Sequence, residues 1–192
     1  RPVVRKSLAV GADELILLED VAFEDADSYA TAYVLSVAIK KIGDYDLIIC
    51  GRQAADTDSG QVGSGIASIL GIPVVTTAGK IEAEDTKVKI SRILPDGYEV
   101  IEAPLPIVVT ASNEIGELRS ANVKELMAAQ KKPVTVWDAS EIGVASMMEK
   151  RVNLFRLYTP PRRDSDCEFI TSETPEEAGS ELAKKLKDAN IF

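Results

Sequence analysis

The sequence contains no histidine, only two cysteines and no long run of apolar residues. Without histidine, the chain can form neither a histidine-containing catalytic triad nor a metal site with imidazole ligands. Cys50 and Cys167 form no CxxC motif, which is typical of reduced thiols in a reducing compartment. No apolar stretch reaches the roughly eighteen residues that a transmembrane helix requires, so we expect a protein that is not membrane-embedded.

The first residues, RPVVRKSLAVGADELILL, do not form a typical signal peptide, because charges interrupt them and no cleavage site follows. They include no initiator methionine and open directly on a helical pattern. We therefore expect that the natural chain begins before Arg1.

The chain is acidic, with 22 basic and 31 acidic residues and a formal net charge of −9. Such a charge disfavours binding to a nucleic-acid backbone and suits solubility or the attraction of a basic partner. The hydrophobic fraction of 45% is enough for a sizeable core. We expect one large domain, or one domain with an appendage, and no nucleic-acid partner.

Strand and helix patterns alternate along the first half of the chain. Continuous apolar runs predict buried strands, and Gly43 and Gly71 predict the ends of the helices between them. This alternation is typical of an α/β fold with a mostly parallel sheet. A polar–apolar alternation, a Pro-Asp-Gly turn and a returning strand predict a β-hairpin. The predicted strands are 15–18, 47–50, 74–77 and 107–110, with the hairpin at 87–101.

A glycine-rich segment, ICGRQAADTDSGQVGSGIASILG at residues 49–71, joins the second strand to a helix. Loops in this position of an α/β sheet commonly bind ligands. We predict that Asp58 caps the helix with Gln61 at the third helical position. The N–H groups of the first turn and the helix dipole would then favour an anion, and Arg52 would add positive charge.

Gly60, Gly63 and Gly65 have two possible explanations. They would allow a phosphate to approach the backbone closely, or they would only allow the helix to pack tightly on the sheet. The segment matches neither the Walker A motif nor GxGxxG.

These residues resemble a known family. GRQAADTDSGQVG closely resembles the adenine-nucleotide loop of the β subunit of electron-transfer flavoproteins. SLAVGADELILL, LPIVVTAS, the pair Glu117 and Arg119, LMAAQKKP and PPRR fit the same family in the same order. The resemblance covers nearly the whole chain. It implies a three-layer, Rossmann-like sandwich of the adenine nucleotide α-hydrolase-like type, preceded by a strand–helix–strand unit that we expect to be mostly missing here.

The resemblance also implies cofactors. In the family, the β subunit holds a structural AMP, and FAD is shared with or held by an α subunit. Some members place a second FAD in the AMP site and oxidise NADH. Those members tend to have glycine and proline where this chain has Thr57 and Ser64, which favours AMP here. The implied cofactor-binding residues are Gly51, Arg52, Gln53, Ala54, Asp56, Asp58, Ser59, Gly60, Gln61, Val62, Gly63 and Ser64.

Residues 110–132 resemble the recognition loop by which the family contacts acyl-CoA and other flavin dehydrogenases. Asn122 predicts a helix cap with Glu125 at the third position. Val123, Leu126 and Met127 would share one face, which is either a docking surface or part of the core. The implied docking residues are Glu117, Arg119, Val123, Leu126 and Met127.

The sequence predicts a nucleotide-binding domain at 1–133 and a C-terminal arm with a final helix at 134–192. Thr174-Pro175-Glu176-Glu177 predicts the start of that helix, with Thr174 as N-cap, proline in the first position and an acid in the third. The extended arm and the final helix each leave apolar side chains uncovered, so we expect residues 152–192 to pack on the α subunit, although packing of the arm on its own domain is the alternative. No nucleophile–base set or metal cluster can be assembled, so we expect an electron-carrier subunit and not an enzyme. Its electrons would pass to a membrane quinone oxidoreductase or another acceptor, in the cytoplasm or the mitochondrial matrix. A stand-alone adenine-nucleotide-binding module is the remaining alternative.

Overall fold

The computed structural model describes residues 3–144, 150–161 and 167–191. The chain divides into two compact units, residues 1–153 and residues 154–192. In the described ranges, no helix is both long enough and apolar enough to cross a membrane.

Strands and helices alternate in the first unit, which confirms the predicted α/β class. The strands, in chain order, are β1 (Leu15–Leu18), β2 (Leu47–Gly51), β3 (Val74–Ala83), β4 (Lys87–Leu94), β5 (Gly97–Pro104), β6 (Ile107–Ala111) and β7 (Val134–Trp137). The α-helices are α1 (Lys6–Ala9), α2 (Ser28–Ile42), α3 (Val62–Leu70), α4 (Val123–Ala129) and α5 (Pro175–Asp188). Short 3₁₀ helices occur at Val21–Phe23 and Asn113–Ile115.

The strands form two sheets. Five strands lie in the order β2-β6-β3-β4-β5, in which β6 pairs parallel with both β2 and β3. Strands β1 and β7 form a separate parallel pair. The arrangement is consistent with the expected three-layer sandwich, although the described strands do not join into one continuous sheet.

Helix α2 packs against residues of both sheets. Asp27 caps its N-terminus by accepting the N–H of Ala30 at 2.8 Å, and Gly43, with φ of 67°, ends it. One cluster joins Ala32 of α2 to Ile66 and Ala67 of α3 and Val108 of β6. A second cluster joins Val34 of α2 to residues beside the β1–β7 pair. The helix therefore shares its buried face between two apolar clusters.

The predicted hairpin is confirmed and is longer than expected. Strands β4 and β5 pair antiparallel from Lys87↔Pro104 to Leu94↔Gly97, and the Pro95-Asp96 turn connects them. Val88 and Ile90 are fully buried with Ile107 and Val109 of β6. The hairpin thus builds one side of the five-stranded sheet's core.

The compact units divide later than the predicted domain boundary at 133/134. Residues 134–144 lie in the first unit because β7 pairs with β1, and Ala139, Ile142 and Val144 are buried with Val34. The carboxylate of Asp27 also accepts the N–H groups of Arg151 and Val152, at 2.6 and 2.7 Å. The C-terminal arm therefore begins near residue 154.

Candidate functional site

The glycine-rich loop lies at the carboxyl edge of the five-stranded sheet. Strand β2 ends at Gly51, which is paired with Ala111 at the end of β6, and the N–H of Arg52 donates to the carbonyl of Ala111 at 2.8 Å. Residues 51–61 are all exposed, while Gly63 at the start of α3 is buried. The loop is thus exposed to solvent, and its first residues are held by the carboxyl ends of the parallel strands β2 and β6.

The helix after the loop is capped differently from the prediction. The N-cap of α3 is Gln61, which makes no side-chain cap hydrogen bond. Asp58 adopts a left-handed φ of 51°, and its carboxylate accepts a hydrogen bond from Nε2 of Gln53 at 2.6 Å. The prediction that Asp58 caps the helix with Gln61 at the third position is therefore wrong, because Asp58 bonds within the loop.

Packing accounts for two of the three glycines. A Cβ on Gly63 would lie 2.4 Å from Cγ2 of Thr110, and a Cβ on Gly65 would lie 2.8 Å from Cβ of Ala32. These contacts let α3 lie close to β6 and α2. Gly60 differs, because it lies in the loop with φ of 61° and a Cβ there would meet Gln53 only at 3.6 Å. The tight-packing explanation holds for Gly63 and Gly65, and Gly60 serves the loop's conformation.

The start of α3 has the chemistry of an anion site. The first-turn positions after the Gln61 cap are Val62, Gly63 and Ser64, and Ser64 is only partly exposed. N–H groups at this end of a helix lack intrahelical acceptors and carry the positive end of the helix dipole. Phosphate groups are commonly bound there.

A second helix start lies against the same loop. The hydroxyl of Ser28, the first residue of α2, donates to Oγ of Ser59 at 3.0 Å. No pattern in the sequence predicts this contact between α2 and the loop. Ser28 therefore joins the candidate site, where the two hydroxyls are small polar groups suited to ribose or phosphate oxygens.

The charges around the loop are mixed. Asp56 and Asp58 are exposed carboxylates, and Nη1 of Arg52 lies 3.9 Å from Oε1 of Glu114 in a half-exposed ion pair. Below the loop, burial raises the pKa of the Cys50 thiol, which therefore stays protonated. Among the described residues no histidine, cysteine or carboxylate group forms a metal cluster.

The predicted helix cap is present within residues 110–132. Asn122 accepts the N–H of Glu125 at 3.0 Å, and the Glu125 carboxylate accepts the N–H of Asn122 at 2.8 Å, completing a capping box. Nη1 of Arg119 donates to the same carboxylate at 2.9 Å. The Asn122 N–H and then Arg119 lower the pKa of Glu125. Arg119 is therefore held against α4, while Glu117 is exposed with no described contact to this cap.

The apolar face of α4 is on the surface, not in the core. Val123 is 72% exposed and Met127 65% exposed, and α4 has no buried residue. Leu126 is partly covered, since it lines a groove of about 130 Å³ beside Arg5, Lys6 and Ala9. Of the two explanations for this face, the core assignment is wrong.

The second unit exposes its apolar residues as well. Leu154, Phe155 and Leu157 lie in a segment without regular structure, and Phe155 is 99% exposed. Helix α5 begins as predicted, with Thr174 as N-cap accepting the Glu177 N–H and Pro175 in the first position. No residue of α5 is buried.

Comparisons with known proteins identify the family. The model of the family described as "Electron transfer flavoprotein domain" matches residues 1–142. The chain is 46% identical, over 97% of its length and 68% of the relative's, to an electron transfer flavoprotein subunit beta of Thermoanaerobacterium thermosaccharolyticum. It is 43% identical to the subunit of the same name in Clostridium acetobutylicum, over 97% of its own length and 73% of the relative's. It is 40% identical to a caffeyl-CoA reductase-Etf complex subunit, CarD, of Acetobacterium woodii, over 99% of its length and 74% of the relative's. The chain therefore belongs to the electron transfer flavoprotein family, as a β-type subunit of an electron carrier.

Proposed function

We propose that this subunit binds AMP in the loop at residues 53–64 and supports an α subunit that carries FAD. The observation that carries the proposal is the open loop at the carboxyl edge of β2 and β6, which leads into a helix whose N-cap, Gln61, makes no side-chain cap bond. An AMP phosphate would accept N–H groups from the first turn of α3. Each such charge-assisted hydrogen bond contributes about 1.5–3 kcal/mol.

The remaining loop residues suit the nucleoside. The Ser59 and Ser28 hydroxyls lie together at 3.0 Å, and Asp56 has an exposed carboxylate. Ribose hydroxyls donate to carboxylates and exchange hydrogen bonds with serine. AMP would thus link the loop to the start of α2 and stabilise the fold without itself reacting, by binding the native state.

Ser64 offers a sharp test, because it occupies the third helical position of α3 and is partly exposed. A Ser64→Glu variant places a carboxylate where the phosphate would bind. The acidic side chain suits a helix N-terminus, so the fold should persist. Ser64→Gln has nearly the same size without the charge and serves as the matched control.

We expect the Ser64→Glu variant to have an affinity for AMP at least about tenfold lower than that of the Ser64→Gln variant, since each 1.4 kcal/mol of binding free energy is a tenfold change in affinity. Nucleotide released from the purified protein is measured by chromatography. Equal AMP content in both variants would contradict the phosphate position. Circular dichroism checks that both variants keep the helix content of the unmodified chain.

A second candidate is FAD in place of AMP in the same loop. It is favoured by the 40% identity to a subunit named as part of a caffeyl-CoA reductase-Etf complex, since such a complex joins an electron transfer flavoprotein to a reductase. The adenylate half of FAD would use the same residues, so the loop alone does not separate the two ligands. Counting the flavins bound per complex does.

The exposed α4 face supports docking to a flavin dehydrogenase. Val123 and Met127 present apolar surface, and the Arg119–Glu125 pair and the capping box fix the helix that carries them. A few exposed anchors on a rigid support are typical of protein interfaces. Electrons received there would reach the flavin of the α subunit and then a membrane quinone oxidoreductase or another acceptor.

The C-terminal unit supports binding of the α subunit. Its exposed Leu154, Phe155 and Leu157 and the uncovered face of α5 lack an apolar partner within the described part of the unit. Burial of an extended segment on a partner removes such surface from water. The segment and helix would therefore hold the two subunits together.

A further inference from the structure

A cavity of about 400 Å³ lies at the turn end of the β4–β5 hairpin, beside the ends of β2 and β6. Its polar lining consists of Arg52, Thr77, Arg92, Ser112 and Glu114, and the chain at 93–95 forms its apolar wall. Arg52 directly precedes the nucleotide loop, so the cavity and the loop are neighbours on the same edge of the sheet. The docking face and the C-terminal arm make no use of these residues.

Arg92 lines this cavity and has one donor without a partner among the described residues. Its Nη1 donates to Glu99 on the paired strand at 3.1 Å, but its Nε is buried and has no hydrogen-bond partner among the described residues. A buried donor without an acceptor is destabilising, and a guanidinium presents its donors in a fork that matches phosphate and carboxylate oxygens. The partly exposed end of the Arg92 guanidinium, which lines the cavity, is therefore suited to a further anionic acceptor.

Arg52 is only weakly engaged. Its Nη1 lies 3.9 Å from Glu114 Oε1, near the limit of an ion pair, and both side chains are almost half exposed. Glu114 also accepts the Ser112 hydroxyl. Because half-exposed pairs at this distance are weak, an incoming anion would compete successfully for Arg52. Glu99 and Glu114 partly neutralise the positive charges of Arg92 and Arg52, so an anion in the cavity would be held mainly by directed hydrogen bonds and less by net charge.

The cavity wall contains a strained residue. Thr77 has φ of 56°, a conformation that β-branched residues rarely adopt, at the irregularity in the pairing of β3 with β6. Its N–H donates to Oγ1 of Thr110 at 3.2 Å, and its hydroxyl lies 2.7 Å from the carbonyl of Thr76 and 3.2 Å from that of Ile93. Strain held in place by surrounding contacts is commonly found at ligand sites.

We infer that this cavity binds a small ligand through a phosphate or carboxylate group held between Arg52 and Arg92. The anion has two potential sources. It is either the distal phosphate of a nucleotide longer than AMP in the neighbouring loop, or a separate small anion. Only the first source rests on the proposed nucleotide site, since the cavity residues themselves do not require AMP.

Arg92→Gln removes the charge and the fork, while Arg92→Lys keeps the charge. Lys87→Gln is the matched control, because it makes the same charge change on β4 and Lys87 does not line the cavity. Each variant is made in the full chain and purified with the subunit that accompanies it. Binding of inorganic pyrophosphate, AMP and ADP is measured by calorimetry, and circular dichroism checks folding.

We expect pyrophosphate to bind the unmodified protein and the Lys87→Gln variant with equal affinity, and Arg92→Gln to weaken it about tenfold. Arg92→Lys should retain part of the affinity. Weaker binding of ADP with unchanged AMP in Arg92→Gln identifies the longer nucleotide as the source, whereas weaker binding of pyrophosphate with unchanged ADP and AMP identifies a separate anion. The inference is overturned if the unmodified protein binds neither pyrophosphate nor ADP more tightly than the Arg92→Gln variant does. Absence of AMP binding would refute the nucleotide loop and leave the pyrophosphate result standing.

Discussion

Replacing Gly63 by alanine tests how closely α3 must approach the sheet. The added Cβ would lie 2.4 Å from Cγ2 of Thr110 and 3.5 Å from Cβ of Cys50. Thr110 is only 2% exposed, and its Oγ1 already accepts the N–H of Thr77, so it has little freedom to move. The helix start would have to shift, and with it the residues proposed to contact phosphate.

The expected magnitude follows from two opposing effects. Overpacking of a buried site costs about 1–3 kcal/mol. Alanine is favoured over glycine inside a helix by about 1 kcal/mol. We therefore expect Gly63→Ala to lower the free energy of unfolding by about 0–2 kcal/mol, measured by urea denaturation with an unchanged m-value.

Thr110→Ser provides the decisive comparison, because serine removes Cγ2 and keeps Oγ. The double variant has no such clash, so Gly63→Ala should cost much less stability when residue 110 is serine than when it is threonine. A double-mutant cycle measures this difference. The reasoning is refuted if the serine substitution leaves the effect of Gly63→Ala unchanged. The reasoning is equally refuted if Gly63→Ala alone raises the free energy of unfolding by the full advantage of alanine over glycine in a helix, about 1 kcal/mol.

Three further predictions concern the partners and the arm. Val123→Ser combined with Met127→Ser should slow reduction by a flavin dehydrogenase and leave the flavin spectrum intact; a normal stopped-flow rate would refute docking at α4. Deleting residues 164–192 should weaken subunit association more than the thermal stability of the first unit, and co-purification at full affinity would contradict this. Several backbone hydrogen bonds, first among them that from the Ala30 N–H, lower the pKa of Asp27. The stability that Asp27 contributes is therefore complete above its pKa in the unfolded chain and is lost as the pH falls through its lower pKa in the folded protein. The protection factor of the Arg151 amide, which is its intrinsic exchange rate divided by the observed rate, should therefore fall in Asp27→Ala or at strongly acid pH, and unchanged protection would disprove the anchor.

Short-range signals in the sequence predicted local structure well. The Asn122–Glu125 capping box, the Thr174-Pro175 helix start and the Pro-Asp-Gly turn each involve a few adjacent residues, and all three are present. The physical reason is that caps and turns satisfy backbone groups within one turn of chain. Their geometry depends little on the rest of the fold.

Contacts between distant residues could not be predicted. Gly63 is needed because Thr110 lies beneath it, and no pattern in the sequence pairs these positions. The left-handed conformation of Asp58 depends on the loop around it and removes it from the cap. The pairing of β7 with β1 joins two four-residue strands at opposite ends of the first unit, so residues 134–144 were assigned to the arm. No feature of the sequence indicates that Arg92 lines a cavity.

The ligand content of the purified complex distinguishes the proposed AMP site from its alternatives. Ligands released by denaturation are separated by chromatography and quantified against this chain. We expect AMP and FAD in equal amounts, each equimolar with the β-type subunit, and loss of AMP alone in the Ser64→Glu variant. Two FAD and no AMP would assign the loop to the second candidate. A complex that contains FAD but no adenine nucleotide in this subunit would contradict the proposal.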